Sequence, residues 1–180
     1  MTNRVDIWQI NLGRRITATE MLCHDLEKAT DTVIALIQEP YLKKGKVPYI
    51  RGYTAVHYDG NDLRAAIIIP NSLHYFPIPS LTDRDMASIL IGSEANVISS
   101  IYMDGLIKEN IVKPLQMVAD YSKHAKCRML IGCDSNAHSP TWGDKSLDAR
   151  GEAVEEFLLD RKSTRLNSSH SSVSRMPSSA

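Results

Sequence analysis

The 180-residue chain has no excess charge of either sign, because 21 Lys and Arg are matched by 21 Asp and Glu. That balance excludes a globally basic coat for nucleic acid, although not a local phosphate-binding patch. Cysteine is scarce as well. Cys23, Cys127 and Cys133 are too few and too odd in number for a disulfide framework, and they fit a reducing compartment better. No apolar run nears the roughly 18 residues of a membrane span. The opening Met1-Thr2-Asn3-Arg4-Val5-Asp6 lacks the apolar stretch of a signal peptide. There is no internal repeat. These absences predict a nuclear or cytoplasmic protein, neither secreted nor held in a membrane. What is present is an ordinary globular mixture, 43% hydrophobic and 23% charged, at a length suited to one domain.

The composition breaks near the end. STRLNSSHSSVSRMPSSA (163–180) holds eight serines and four apolar residues, with no period that could bury a core. We expect it to be a disordered Ser-rich tail, and it reads as translated adapter or vector sequence rather than selected protein. The expected domain is therefore 1–162, and without Arg165 and Arg175 it carries 19 basic against 21 acidic residues, a net charge of −2.

Within that domain, strands and helices alternate. VDIWQINL (5–12) alternates like a strand, and 14–30 carries apolar residues at helical spacing. TVIALI (32–37) is a short continuous apolar run, as expected of a strand buried on both faces. Residues 53–58 and 64–69 flank Asp59-Gly60-Asn61-Asp62 and predict a hairpin. Further strands are expected at 87–92, 95–103 and 127–133, and helices at 108–124 and 149–159, the last N-capped by Asp148. The fold class is α/β, a mixed sheet covered by helices.

In open α/β sheets, ligands sit beyond the carboxyl ends of strands, and here those ends are polar. They read Gln9-Ile10-Asn11, Gln38-Glu39-Pro40, Tyr102 in SSIYMDG, and Asp134-Ser135-Asn136. Singly each has a plain structural reading as turn former, loop charge or cap. Together they form a hard-oxygen set suited to Mg²⁺, which takes one or two carboxylates plus substrate phosphate oxygens.

The string IGCDSNAHSPTWG (131–143) resembles the GD-x-N motif of the exonuclease–endonuclease–phosphatase superfamily, and its AHSPTWG extension resembles the endonuclease domains of non-LTR (LINE-type) retrotransposons. DIWQINLGRR (6–15), VIALIQEPYL (33–42) and DARGEAVEEFL (148–158) are similar to other motifs of that branch, in order. The resemblance covers about 5–160 and implies a mixed-sheet α/β sandwich of the DNase I-like, AP-endonuclease-like type. It implies Mg²⁺, with Mn²⁺ as a substitute, held mainly by Glu39 with Asn11 beside it. It implies that Asp134 orients or deprotonates the attacking water, while Asn136 and Tyr102 hydrogen-bond the scissile phosphate. His138 and Trp142 belong to the branch-specific stretch; His138 packed within the loop and His138 touching substrate both stay open. Lys43 and Lys44, with Lys46 and Arg51 nearby, read as a solvated loop or as contacts to the DNA backbone. The implied activity is nicking of one DNA strand, whose 3′-hydroxyl primes a downstream reverse transcriptase copying the element RNA.

Two departures from the family pattern stand out. Gly13 sits where many members carry a polar residue near the metal. Nothing after Phe157 matches the family's C-terminal Ser-Asp-His-type motif, so the sequence reads as a C-terminally truncated domain, incomplete in its last strands and inactive or nearly so. A phosphomonoesterase of the same superfamily, a non-catalytic nucleic-acid-binding module and a functionless remnant are the rival readings. A zinc site on Cys127, Cys133 and nearby histidines is excluded by strand geometry, and the two cysteines read as small core residues. Asp83-Arg84-Asp85 reads as surface charge of little energetic worth, and Arg150 and Gly151 have no local explanation.

Overall fold

A computed structural model of the chain describes residues 4–92 and 96–161. The chain divides into two compact units, the first ending at Ser135 and the second beginning at Asn136. The Ser-rich tail expected at 163–180 lies outside the described residues.

The first unit is built on strands β1 (Val5–Asn11), β2 (Thr32–Gln38), β3 (Tyr53–His57), β4 (Ala65–Pro70), β5 (Tyr75–Pro77), β6 (Met86–Ile91), β7 (Asn96–Tyr102) and β8 (Met129–Asp134). It also holds helices α1 (Ile16–Lys28) and α2 (Lys113–Ala125) and a 3₁₀ turn, Pro79–Leu81. The strands form two four-stranded sheets, in the orders β1-β2-β4-β3 and β5-β6-β7-β8, rather than the one sheet that alternation suggested. Both are mixed. β1 runs parallel to β2 and β7 parallel to β8, while the remaining pairs are antiparallel.

The parity of β2 explains why its sequence is apolar throughout. Val33, Ala35 and Ile37 share a core cluster with Leu22 and Leu26 of α1 and with Ala66 and Ile68 of β4. Ile34 and Leu36 point the other way, into a cluster with Ile67, Ile69, Ala87, Ile89 and Ile98 that fills the space between the sheets. A strand covered on both faces has no position left for alternating polarity. Gly132 marks a close approach of the second sheet to the first. A Cβ built there would lie 2.6 Å from Leu36 Cδ1 and 3.0 Å from Gln9 Cγ, so only glycine fits.

One fully buried amide spans the same gap. Gln38 receives a hydrogen bond from Gln9 Nε2 at 2.8 Å. Its own Nε2 donates to Ser100 Oγ at 2.9 Å and to the Gly132 carbonyl at 3.3 Å. Ser100 Oγ donates in turn to the Ile37 carbonyl at 2.9 Å. Strands of both sheets are thereby pinned in one register next to their carboxyl ends.

The second unit holds a 3₁₀ turn, Pro140–Trp142, and helix α3 (Ala149–Leu159), whose Asp148 cap accepts from Gly151 N as expected. Elsewhere the expectations need correcting. Residues 108–112 are not helical: Pro114 at the second helical position of α2 suits a helix start, and Val112 is the N-cap. The strand expected at 127–133 runs from Met129 to Asp134, so Asp134 is its last residue. None of the three cysteines is in a disulfide, and Cys127 and Cys133 are only half-buried rather than core residues. Among the described residues, no helix is long and apolar enough to cross a membrane.

Replacing Gln38 with Leu strands the Gly132 carbonyl and the Gln9 amide beside an apolar group. The expected loss is about 1–3 kcal/mol, read as a lower urea midpoint with an unchanged slope.

Candidate active site

β1, β2, β7 and β8 all end on the same side of the first unit, and their terminal residues meet. Asn11 is opposite Gln38 in the β1–β2 register, and Tyr102 is opposite Asp134 in the β7–β8 register. The Asn11 Nδ2 group donates to Glu39 Oε2 at 3.2 Å and also to Asp134 Oδ2. One amide from the first sheet therefore joins a carboxylate just past β2 to a carboxylate ending β8. The other end of the Asn11 amide is fixed as well, since Oδ1 accepts from Gly13 N at 2.7 Å. Gly13, at φ +55°, thus fixes the Asn11 amide through its own backbone N–H.

Glu39 is held by its main chain in a left-handed conformation, φ +47°. Its N–H donates to the Arg64 carbonyl at 2.8 Å and its carbonyl accepts from Arg14 N at 2.7 Å. Arg14 Nε lies 3.7 Å from Glu39 Oε1. A non-glycine residue there costs about 1–2 kcal/mol, and the surrounding hydrogen bonds keep it in place. The side chain is 23% exposed, partly shielded yet open to solvent.

The site's charge is organised by a group the sequence did not single out. Arg64, 11% exposed, grips Asp85 with Nε at 2.5 Å and Nη2 at 2.6 Å, and reaches Asp104 with Nη1 at 2.8 Å. Its guanidinium lies 4.6 Å from the centre of the Tyr102 ring. Asp85 is therefore no idle surface charge, which corrects the sequence expectation for Asp83-Arg84-Asp85. Hydrogen bonding to Asp85 first, and to Asp104, pushes the Arg64 guanidinium still further into its charged form. The Asp104 carboxyl is drawn below its ordinary value by the Leu106 N–H and by Arg64.

Asn136, His138 and Trp142 belong to the second unit. Asn136 is exposed with φ +47°. The motif around it is explained by contacts within that unit. His138 N–H donates to Asp148 Oδ1 at 3.1 Å and its carbonyl accepts from Asp148 N at 3.1 Å. Ser139 Oγ and Thr141 Oγ1 both donate to Glu155 of α3, lowering its carboxyl below the ordinary value. Trp142 Nε1 donates to the Ala137 carbonyl at 3.0 Å. The His138 backbone is thus structural, while its ring is 62% exposed with Nδ1 3.5 Å from Asp144. Gly151 is also accounted for, because a Cβ there would lie 2.0 Å from the His138 carbonyl oxygen. Arg150 is buried in the same unit.

Lys43 and Lys46 close a tight turn, Lys43 N to Lys46 O at 2.8 Å, with Lys44 at φ +53° on its tip. Lys43, Lys44 and Lys46 are exposed, and so is Tyr49 at 84%. Among the described residues, no group of three or more His, Cys, Asp or Glu side chains converges as a metal cluster. The donor set of Glu39 and Asp134 still fits a hard cation, since the shared Asn11 amide places positive dipole between two carboxylates.

Residues 96–180 match a family described as endonuclease-reverse transcriptase. The fold is similar to the endonuclease domain of TRAS1, a telomere-specific non-LTR retrotransposon, with TM-score 0.69 and 26% identity over 86% of this chain and 69% of that one. It also shares its fold with a humanized D. rerio TDP2 carrying 14 mutations, at TM-score 0.50 and 17% identity over 79% of this chain and 67% of that one. No curated protein matches the chain.

Two outcomes follow from this geometry. Gly151→Ala forces a methyl against the His138 carbonyl and should cost about 1–3 kcal/mol, seen as early loss of α3 amide protection in hydrogen exchange. Asp104 is lowered in the folded state, so its contribution is complete above the ordinary carboxylate range and is lost as pH falls below about 4. In acid titrations of stability, Asp104→Asn should flatten that acid limb relative to the parent chain.

Proposed function

We propose that the chain is part of an endonuclease domain of the non-LTR retrotransposon branch of the exonuclease–endonuclease–phosphatase superfamily, one that hydrolyses DNA phosphodiester bonds with a divalent cation, and that this chain, with no match to the Ser-Asp-His-type motif, is itself inactive or nearly so. The nick would leave a 3′-hydroxyl that primes a reverse transcriptase copying the element RNA. A chromosomal substrate would place that step in the nucleus, after synthesis in the cytoplasm.

The observation that carries this reading is the meeting of Glu39 and Asp134 on the Asn11 amide, two anionic groups from different sheets at one set of strand ends. Glu39 and Asp134 would hold Mg²⁺ or Mn²⁺ through carboxylate oxygens. The cation, when bound, supplies charge neutralisation at the phosphate. Asn11 keeps both carboxylates aimed, its own oxygen being engaged by Gly13 N–H. Asp134 orients the attacking water and takes its proton. Tyr102, at the end of β7, directs a donor to a phosphate oxygen as negative charge grows there. Lys43 and Lys44 sit on an exposed turn that begins four residues after Glu39, where lysines favour backbone phosphates without reading sequence.

Relaxation of supercoiled plasmid, with binding followed on a labelled duplex, tests the proposal. Nicking by this chain should be weak or undetectable; in a domain with the Ser-Asp-His-type motif restored it should require Mg²⁺ or Mn²⁺, and Glu39→Gln or Asp134→Asn should lower it on the order of 10²-fold or more. Lys43→Ala and Lys44→Ala should each reduce the salt slope of DNA binding by about 1. Turnover of a small phosphomonoester without nicking would move the chain to the phosphomonoesterase reading. Salt-dependent binding indifferent to Glu39→Gln, with no cleavage, would make it a non-catalytic binding module.

A further inference from the structure

We propose that Arg64 is a positioning residue, one that sets the Glu39 backbone and the Tyr102 ring together while holding no phosphate itself. This rests on the functional reading above only in assigning Tyr102 to substrate; the positioning is argued from geometry alone. Arg64 immediately precedes β4 (Ala65–Pro70) and works at both ends. Its main-chain carbonyl accepts the Glu39 N–H at 2.8 Å, which stabilises the left-handed glutamate. Its side chain passes beneath the surface to Asp85, Asp104 and the face of Tyr102.

Three features mark it as scaffold rather than phosphate ligand. The guanidinium is 11% exposed, and Nε, Nη1 and Nη2 are all engaged by carboxylates. Two anions face it, so it offers no surplus positive charge to a phosphate. Asp85, which clamps it twice, also accepts the Tyr102 N–H on its carbonyl at 2.8 Å. Tyr102 is in turn in register with Asp134, and Met103 N donates to the Asp134 carbonyl at 2.8 Å. The path from Glu39 through Arg64 and Tyr102 to Asp134 therefore runs by direct contacts. Lysine cannot replace this arrangement. A compact ammonium neither forks onto a carboxylate nor lies flat on a ring.

The full chain labelled with 3-fluorotyrosine tests this without relying on turnover. It has seven tyrosines, and Tyr102→Phe identifies the resonance of interest. In Arg64→Lys, and again in the near-isosteric Asp85→Asn, the Tyr102 fluorine signal should shift and broaden while the other six hold their positions. A Tyr102 signal indifferent to both substitutions overturns the proposal. Seven signals moving together would do the same, since Arg64 would then serve only general stability. Adding a short DNA duplex with Mg²⁺ separates this from the functional reading. The Tyr102 signal should respond in the parent chain and respond less in Arg64→Lys, with duplex anisotropy still reporting binding. Bound duplex that leaves Tyr102 unmoved in the parent chain would remove Tyr102 from the substrate, whereas the first comparison alone decides the role of Arg64.

Discussion

The first unit depends on one buried amide. Gln38 lies between two sheets whose facing surfaces are otherwise isoleucine, leucine, valine and alanine, and it joins Gln9, Ser100 and Gly132 in one network. Apolar packing of that kind tolerates sliding by a residue, because any aliphatic chain fills a similar hole. A fully buried amide does not, since a slip would strand its donors and acceptors away from water. The next residue along the chain is Glu39, and Asp134 lies two residues beyond Gly132. The network therefore fixes, at close range, the relative placement of the two carboxylates that Asn11 joins.

How far the sequence revealed this depends on the range of the interactions involved. The unbroken apolar run 32–37 identified a strand covered on both faces, and β2 is that strand, with α1 on one side and the second sheet on the other. Asp148 announced the start of α3 through a local cap. β5 escaped notice because a three-residue strand with exposed Phe76 and Pro77 has no period to detect. The apolar spacing of 108–124 points to an earlier start of α2 than Pro114 permits, since proline favours the first turn of a helix over its interior.

The site divides the same way. Asn11, Glu39, Tyr102 and Asp134 were legible because all four fall at the ends of recognisable strands, and the structure brings Asn11, Glu39 and Asp134 into contact. Arg64 and Asp85 were not, being 21 residues apart and paired only by the folded sheets. Nothing in Asp83-Arg84-Asp85 by itself separates a buried anchor from a solvated charge. The second unit shows the reverse. Its motif is legible by resemblance, while the reason for Gly151 lies in the fold, which sets its backbone against the His138 carbonyl.

The left-handed backbone at Glu39 has an evolutionary consequence. At most positions, a substitution that destroys activity also lowers stability or leaves it unchanged. Here the carboxylate is kept in a conformation that glycine would adopt without cost. Glycine codons lie one transition away from glutamate codons. Glycine at 39 would relieve that backbone strain while giving up the carboxylate's contacts with Asn11 and Arg14, so the two effects on stability oppose each other. A glutamate at position 39 is thus what the proposed cation-binding role asks for, while the backbone there asks for glycine.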